Sequence, residues 1–212
     1  MSSFIGRKDI LDKLRKYFDS ESASQRIFVL HGLGGAGKSQ LAFKFIEESK
    51  DKRYTNWSNK LNSQLLTTLF LSFSDIFYVD ATSEDTIQTD LEAIAPGNAK
   101  RTVEASLRWL ASQTDRNWLL VFDNTDNVDL KLKQYFPSCS SGNILITTRN
   151  RELRHYTAED ADADVKDMDL EDAKALLLVQ ARAKRSDENI ALAKTIVKVV
   201  SFRCHFQQRI SY

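Results

Sequence analysis

The sequence predicts an α/β fold built on a mainly parallel sheet of five strands. Short apolar runs of strand length alternate along the chain with segments of helical period, which is typical of parallel strands joined by crossover helices. The five candidate strands are residues 26–31, 75–80, 118–122, 143–147 and, with a weaker pattern, 164–168. The second to fourth runs are almost continuously apolar, which predicts a sheet that is buried on both faces.

Segments of helical period fall between the strands and after them. The earlier ones cover residues 8–18, 38–48, 86–94 and 103–112. Because crossovers between parallel strands are right-handed, these helices are expected on both faces of the sheet, in three α/β/α layers. After the last strand, Asp169 is the predicted N-cap of an amphipathic helix, and a second such helix is predicted over residues 189–200.

Composition indicates an ordinary globular chain. Its 212 residues can bury one main core, and 30 basic residues against 29 acidic ones leave a net charge of +1. That balance gives no electrostatic basis for binding nucleic acid or an anionic membrane. Cys139 and Cys204 lie far apart, which is typical of free thiols in a reducing compartment, and no apolar run has the length of a signal peptide or membrane span. We expect a cytoplasmic protein.

Two stretches depart from the α/β pattern. Residues 54–72 contain no acidic residue and stand where a loop of about 2–6 residues would suffice, so they look inserted. The tail, residues 201–212, loses the helical period. One hypothesis is that both stretches are translated non-coding sequence; the other is a variable loop and a frayed terminus.

The first strand runs into a glycine-rich loop that leads directly into a helix. This is the strand, loop and helix context of a Walker A motif, in which backbone N–H groups and the helix N-terminus bind phosphate. Lys38 would neutralise the β and γ phosphates, and Ser39 would be a ligand of Mg²⁺. The predicted nucleotide-binding residues here are Gly32, Gly34, Gly35, Ala36, Gly37, Lys38, Ser39 and Gln40.

The third strand ends in a carboxylate, Asp123, which we interpret as the Walker B residue and a second Mg²⁺ ligand. Asn124 follows it, where an efficient ATPase would carry a carboxylate to activate water. Hydrolysis is therefore expected to be slow, with Asp126 as the other candidate catalytic carboxylate. Arg149 follows the fourth strand at the ligand-binding edge of the sheet; it contacts the γ-phosphate or forms a surface ion pair, and its position alone does not separate the two.

Together these motifs resemble the NB-ARC branch of the STAND class of P-loop NTPases, which includes plant resistance proteins and fungal NLR-like proteins. The resemblance covers roughly residues 4–200, and the fungal members are the most similar through Phe122, Asp123 and Asn124. It implies adenine nucleotide as the ligand, with Gly6 and Arg7 lining the adenine side. It also implies that the strand before Arg149 lies between the other two site strands.

The resemblance also divides the chain. Residues 1–22 match the N-terminal segment and helix of the family, 23–168 the NTPase core, and 169–200 the start of a small helical domain. The family's Gly-Leu-Pro turn and winged helix do not follow residue 198, and no effector domain precedes Met1. We therefore expect a truncated relative with weaker nucleotide binding.

Three functions follow from these observations. The first is a switch that binds ADP or ATP with Mg²⁺, hydrolyses slowly or not at all, and self-associates in a full-length form. The second is an enzyme with steady turnover, an AAA-like ATPase or a small-molecule kinase, against which Asn124 counts. The third is an inert truncated fragment. Neither phosphate motif reads the base, so the preference for adenine over guanine rests on the resemblance.

Overall fold

The core of the protein is a five-stranded sheet in which every neighbouring pair of strands is parallel. The computed structural model describes residues 5–20, 24–58, 73–94, 101–114 and 117–210. The strand order is β2-β3-β4-β1-β5. The strands are β1 (Arg26–His31), β2 (Asp75–Asp80), β3 (Trp118–Asp123), β4 (Asn143–Thr148) and β5 (Asp162–Asp164). The predicted fold class is confirmed, and so is the implied position of β4 between β1 and β3.

Six α-helices and two 3₁₀ helices complete the described part of the chain. The 3₁₀ helices are Leu132–Tyr135 and Arg151–Tyr156. The α-helices are α1 (Lys8–Asp19), α2 (Lys38–Ser58), α3 (Glu84–Glu92), α4 (Val103–Ser112), α5 (Leu170–Gln180) and α6 (Asp187–Ile210). Asp169 caps α5 as predicted, since its side chain accepts a hydrogen bond from the Glu171 N–H at 2.8 Å. Among these described residues, none of the helices combines the length and the apolar content needed to cross a membrane.

Side chains cover both faces of the sheet. On one face, Phe18 of α1 packs with Phe28 of β1, Phe45 of α2 and Phe73, with ring centroids 5.6–6.2 Å apart. On the other face, the alternate residues of the strands pack with apolar residues of α3 and α4. Helices therefore enclose the sheet in the three predicted layers.

Burial differs between the central and outer strands. All six residues of β3 and of β4 are buried, as the continuous apolar runs predicted. The prediction was wrong for β2, where only Val79 is buried and Tyr78 is exposed. The reason is its place in the sheet, because β2 is an edge strand and, within the described residues, pairs only with β3.

Several predicted boundaries also differ from the structure. The fifth strand is shorter and earlier than the predicted 164–168, because residues 162–164 are the ones that pair with β1. Helix α2 continues to Ser58 and α6 to Ile210, beyond their predicted ends at residues 48 and 200. Most of the predicted insertion, residues 59–72, lies outside the described residues.

The chain forms two compact units. One comprises residues Asp9–Lys166 and contains the whole sheet. The other comprises Met1–Lys8 and Asp167–Tyr212; in it α5 and α6 pack together and bury Leu178 and Ala193.

Candidate functional site

The loop between β1 and α2 follows a path that its first glycine makes possible. Gly32 has a φ of 145°, and a Cβ atom there would lie 2.4 Å from the carbonyl oxygen of Val165. Any other residue would therefore clash with the backbone that follows β5. The loop then turns, with the Ala36 N–H donating to the Leu33 carbonyl at 3.3 Å, and the first bond of α2 joins Leu41 N–H to the Gly37 carbonyl at 2.9 Å.

Two further glycines shape the approach to α2. Gly35 and Gly37 have φ angles of 76° and 91°, in the left-handed region that glycine favours, and a Cβ at either would meet no atom within 4 Å. The N-terminus of α2 contributes backbone N–H groups that have no acceptor within the helix. Space for an anion and donors to bind it therefore occur together.

Lys38, the first residue of α2, turns its side chain back onto this loop. Its Nζ donates to the carbonyl oxygens of Gly32 and Leu33, each at 2.9 Å, and the residue is buried. Burial lowers the pKa of the Lys38 ammonium, and the Arg149 charge lowers it further, whereas Asp126 and Asp123 raise it. The two carbonyls use two of the three N–H donors of the ammonium, which leaves the third for a ligand.

Asp123, at the end of β3, accepts hydrogen bonds from three hydroxyl groups. Ser39 of α2 donates to Oδ1 at 2.8 Å, Thr147 of β4 donates to the same oxygen, and Tyr78 of β2 donates to Oδ2 at 2.6 Å. The carboxylate is buried. Three elements of the fold thus fix the orientation of one anionic group.

The backbone leaves the extended conformation directly after Asp123 but stays alongside the end of β4. Asn124 has a φ of 65°, which asparagine tolerates better than most residues, and its N–H donates to Thr147 Oγ1 at 2.9 Å. The next residue is tied to β4 as well, because the Thr125 N–H donates to the Thr147 carbonyl at 2.9 Å and its carbonyl accepts from Thr148 Oγ1 at 2.5 Å. This path places Asp126 against Arg149, which follows β4.

Asp126 and Arg149 form an ion pair beside the glycine loop. Arg149 Nε lies 2.8 Å from Asp126 Oδ2, and the Arg149 backbone N–H donates to Oδ1 at 2.7 Å. The guanidinium also lies against Gly34, since a Cβ built on that glycine would be 3.1 Å from Arg149 Cζ. Of the two interpretations of Arg149, the structure shows the ion pair and places it next to the predicted phosphate loop.

Three predicted site residues remain, namely Gln40, Gly6 and Arg7. Gln40 is exposed in the first turn of α2. Gly6 and Arg7 have φ angles of 82° and 56° and belong to the unit that contains α5 and α6, where Gly6 lies against Asp172. Their role on the adenine side stays a prediction.

His31, the last residue of β1, is a packed strand-end residue. It is buried, and its Nε2 lies 2.8 Å from Asp162 Oδ2. This partner belongs to β5, so the histidine joins two strands.

Sequence reasoning missed two side chains that contact Asp123. Thr147 was predicted only as part of the segment before Arg149, and Tyr78 was predicted only as a strand residue. Tyr78 pairs with Val121, two positions before Asp123 in β3, so the contact is diagonal across the sheet. Only the strand register reveals such a contact, because the two residues are 45 positions apart in the sequence.

This combination of fold and site defines a P-loop nucleotide-binding domain. A glycine loop with a buried lysine follows the first strand of a parallel sheet. A buried carboxylate ends another strand, β3, and the carboxyl ends of parallel strands lie at the same end of the sheet. A family model described as AAA ATPase domain matches residues 3–202. The chain therefore belongs to the AAA ATPase domain family.

Relatives extend this assignment. The chain is 27% identical, over 83% of its length, to a nucleotide-binding leucine-rich repeat (NLR)-like protein of Hyaloscypha variabilis, and 25% identical, over 74%, to a late blight resistance protein homolog of Solanum demissum. The predicted resemblance to NLR-like and resistance proteins is confirmed. The chain spans only 18% and 12% of the lengths of these two relatives.

A solved structure supports the fold alone. Cdc6p from Pyrobaculum aerophilum superposes with a TM-score of 0.56, covering 91% of this chain and 56% of that protein, at 12% identity. It has the same layered architecture, and it carries no information on the ligand of this chain.

Proposed function

We propose that this chain is the ADP- and ATP-binding module of a nucleotide-dependent signalling switch, with slow or no hydrolysis. The observation that carries the proposal is the Asp126–Arg149 ion pair beside the glycine loop. The Arg149 side chain is 64% exposed, so it can change partner without disturbing the core. A guanidinium can form bidentate hydrogen bonds to either carboxylate or phosphate oxygens.

The ion pair offers a physical basis for two states. With ADP, Arg149 would keep Asp126 as its partner; with ATP, the γ-phosphate would compete for the guanidinium. Release of Asp126 would also free the Arg149 backbone N–H, because the same carboxylate accepts both hydrogen bonds. A ligand that binds one arrangement better shifts the population towards it. In a longer chain, we propose that the ATP state permits self-association.

The residues present suit a nucleotide with Mg²⁺. Ser39 Oγ and Asp123 Oδ1 lie 2.8 Å apart. Both are oxygen ligands of the kind that Mg²⁺ prefers, and they would hold the ion. When bound, Mg²⁺ supplies positive charge to the phosphates. Lys38 would add a second positive charge, while the space beside Gly35 and Gly37 would take the phosphate oxygens.

Slow hydrolysis follows from the residues after Asp123. An amide cannot accept a proton from the attacking water, and Asn124 occupies the position where a base is expected. Asp126 can accept a proton, but its two oxygens are engaged by Arg149. Water activation would therefore require the ion pair to break first.

The Asp126–Arg149 ion pair is also compatible with an alternative function, an AAA-like ATPase with steady turnover. If ATP releases Asp126 from Arg149, that carboxylate becomes available at the nucleotide edge of the sheet. Membership of the AAA ATPase domain family also favours this alternative. The two functions differ in the rate of turnover and in the effect of Asp126→Asn.

The test compares Arg149→Ala with the wild-type chain. We expect ATP affinity to fall about tenfold and ADP affinity to stay within about twofold, because only ATP has the γ-phosphate; a tenfold change corresponds to about 1.4 kcal/mol. Arg151→Ala is the matched control, since Arg151 is also exposed and forms an ion pair, with Asp164 at 2.6 Å. Fluorescent-nucleotide titration measures both affinities.

The outcomes separate the three functions. Turnover well below about 1 s⁻¹ with a selective loss of ATP affinity supports the switch. Turnover above that rate, abolished by Asp126→Asn, would identify the enzyme instead. No binding of either nucleotide to the folded wild-type chain would identify an inert fragment.

A further inference from the structure

Among the described residues, Tyr78 is the one hydroxyl donor to Oδ2 of Asp123, and it lies outside the predicted nucleotide motifs. Its phenol donates to Asp123 Oδ2 at 2.6 Å, while Ser39 and Thr147 both donate to Oδ1. The two carboxylate oxygens therefore have different partners. Loss of the Tyr78 hydroxyl would therefore leave Oδ2 without a hydrogen-bond donor among the described residues.

The position of Tyr78 is set by the sheet and by an aromatic neighbour. Its strand, β2, pairs with β3 in a register that places Asp80 beside Asp123 and Tyr78 beside Val121. From there the long side chain reaches diagonally along β3 to the carboxylate. Phe43 of α2 stacks on the ring, with centroids 5.4 Å apart and an interplanar angle of 22°.

The stacked rings are partly exposed beside a buried group. Tyr78 and Phe43 are each 43% exposed, whereas the carboxylate they adjoin is buried. Phe43 stands in the helix that begins with Lys38 and Ser39. The Tyr78–Phe43 pair thus connects helix α2, strand β2 and the Asp123 carboxylate.

The chemistry of the phenol suits the role of a donor. Partial burial of the side chain, the hydrogen bond to Asp123 and the nearby carboxylates raise the pKa of Tyr78, so the hydroxyl keeps its proton at neutral pH. A neutral O–H donor leaves the charge of the carboxylate in place for a cation. Groups that hydrogen-bond to a metal ligand without contacting the metal fix the orientation of that ligand. Their loss typically weakens metal binding by about 10–100-fold.

We infer that Tyr78 is a positioning residue that holds Asp123 in the orientation needed to bind Mg²⁺, with Phe43 holding the ring of Tyr78. The inference rests on the proposed nucleotide site and adds a residue to it. A merely structural role predicts something different: loss of the hydroxyl would lower the stability of the free chain and weaken binding equally with and without Mg²⁺.

Tyr78→Phe tests the inference, because it removes only the hydroxyl and keeps a ring to stack on Phe43. We expect the Mg²⁺ concentration that half-saturates the ADP complex to rise about tenfold, and ADP affinity in EDTA to stay unchanged. Fluorescent ADP is titrated in EDTA, and Mg²⁺ is then titrated into the ADP complex. No turnover is needed for either measurement.

Two further variants control the experiment. Tyr17→Phe also removes a phenol hydrogen bond, to the Ile27 carbonyl at 3.1 Å, and should leave the Mg²⁺ titration unchanged. Phe43→Leu keeps the Tyr78 hydroxyl but removes the stacked ring, so it should shift the titration in the same direction by a smaller factor. It also carries the test if Tyr78→Phe does not fold.

The outcomes distinguish this inference from the proposed function. A wild-type chain that binds no nucleotide overturns both. A wild-type chain whose ADP affinity responds to Mg²⁺, together with Tyr78→Phe and Phe43→Leu variants that respond identically, overturns only the role of Tyr78. An equal loss of affinity in EDTA and in Mg²⁺ would show a structural role and overturn it as well.

Discussion

Lys38 and Asp123 are both buried charges of the same site, but the protein holds them in different ways. Lys38 is held by loop carbonyls that are five and six residues away in the sequence. Asp123 is held by side chains that are 24, 45 and 84 residues away. The positive side of the site therefore depends on local backbone geometry, and the negative side depends on correct pairing of the sheet.

This difference has a functional consequence under the proposed function. A local loop can bind phosphate as soon as β1 and α2 are in place. The carboxylate side needs β2, β3, β4 and α2 together, so any change in the sheet would act first on the Mg²⁺-dependent part of binding. Variants of each side should consequently fail in distinguishable ways.

The largest expected effect is on the positive side. Lys38→Ala should weaken ADP and ATP binding by about 30- to 5,000-fold, with and without Mg²⁺, because losing one partner of a buried charged contact costs about 2–5 kcal/mol. Thermal unfolding with each nucleotide measures this, since a ligand of the native state raises its apparent stability. Lys44→Ala is the matched control, because that lysine of α2 pairs with Glu47 at 3.0 Å instead of facing the loop. Retained stabilisation by nucleotide in Lys38→Ala would contradict the assignment.

On the negative side, Asp123→Asn should act mainly through Mg²⁺. The amide keeps the shape but loses the charge that the ion needs, so we expect ADP affinity in Mg²⁺ to fall about 30-fold, within the range typical of disturbed metal sites. In EDTA the affinity should change by less than about threefold. Isothermal titration in the two buffers measures both, with the exposed Asp129→Asn as control. Equal losses in both buffers would remove the distinction between the two sides.

The same comparison shows what the sequence could predict. The glycine loop, Lys38 and Ser39 are contiguous, so their context could be recognised without any tertiary information. Asp123 could be predicted as well, because it ends a continuous apolar run. The hydroxyl donors Tyr78 and Thr147 could not be assigned to it, since their contacts depend on strand register and on the turn at Asn124.

The limits of the fold prediction have a similar physical origin. The parallel strands were predictable from apolar runs, and the position of β4 between β1 and β3 was predictable from the family resemblance. The exposure of β2 was not, because an apolar run does not reveal that its strand lies at the edge of a sheet. The position of β5 was also missed, since only three residues pair with β1 and they include Asp162 and Asp164.

The smallest expected effect concerns the support of the carboxylate in the absence of any ligand. Thr147→Val keeps the size of a fully buried side chain but removes the hydroxyl that donates to Asp123 and accepts from the Asn124 N–H. Because the Asn124 N–H is left without this acceptor, the free energy of unfolding should fall by about 1–2 kcal/mol. Urea denaturation measures this change.

Thr89→Val is the control for Thr147→Val, because Thr89 is exposed on α3. Thr89 loses only a hydrogen bond to the Asp85 carbonyl, so it should change stability by less than about 0.5 kcal/mol. Equal effects of the two variants would mean that the Thr147 hydroxyl contributes nothing specific. A larger effect at Thr147, with ADP affinity in EDTA unchanged, would show that the negative side of the site is part of the folding core while the positive side works independently of it.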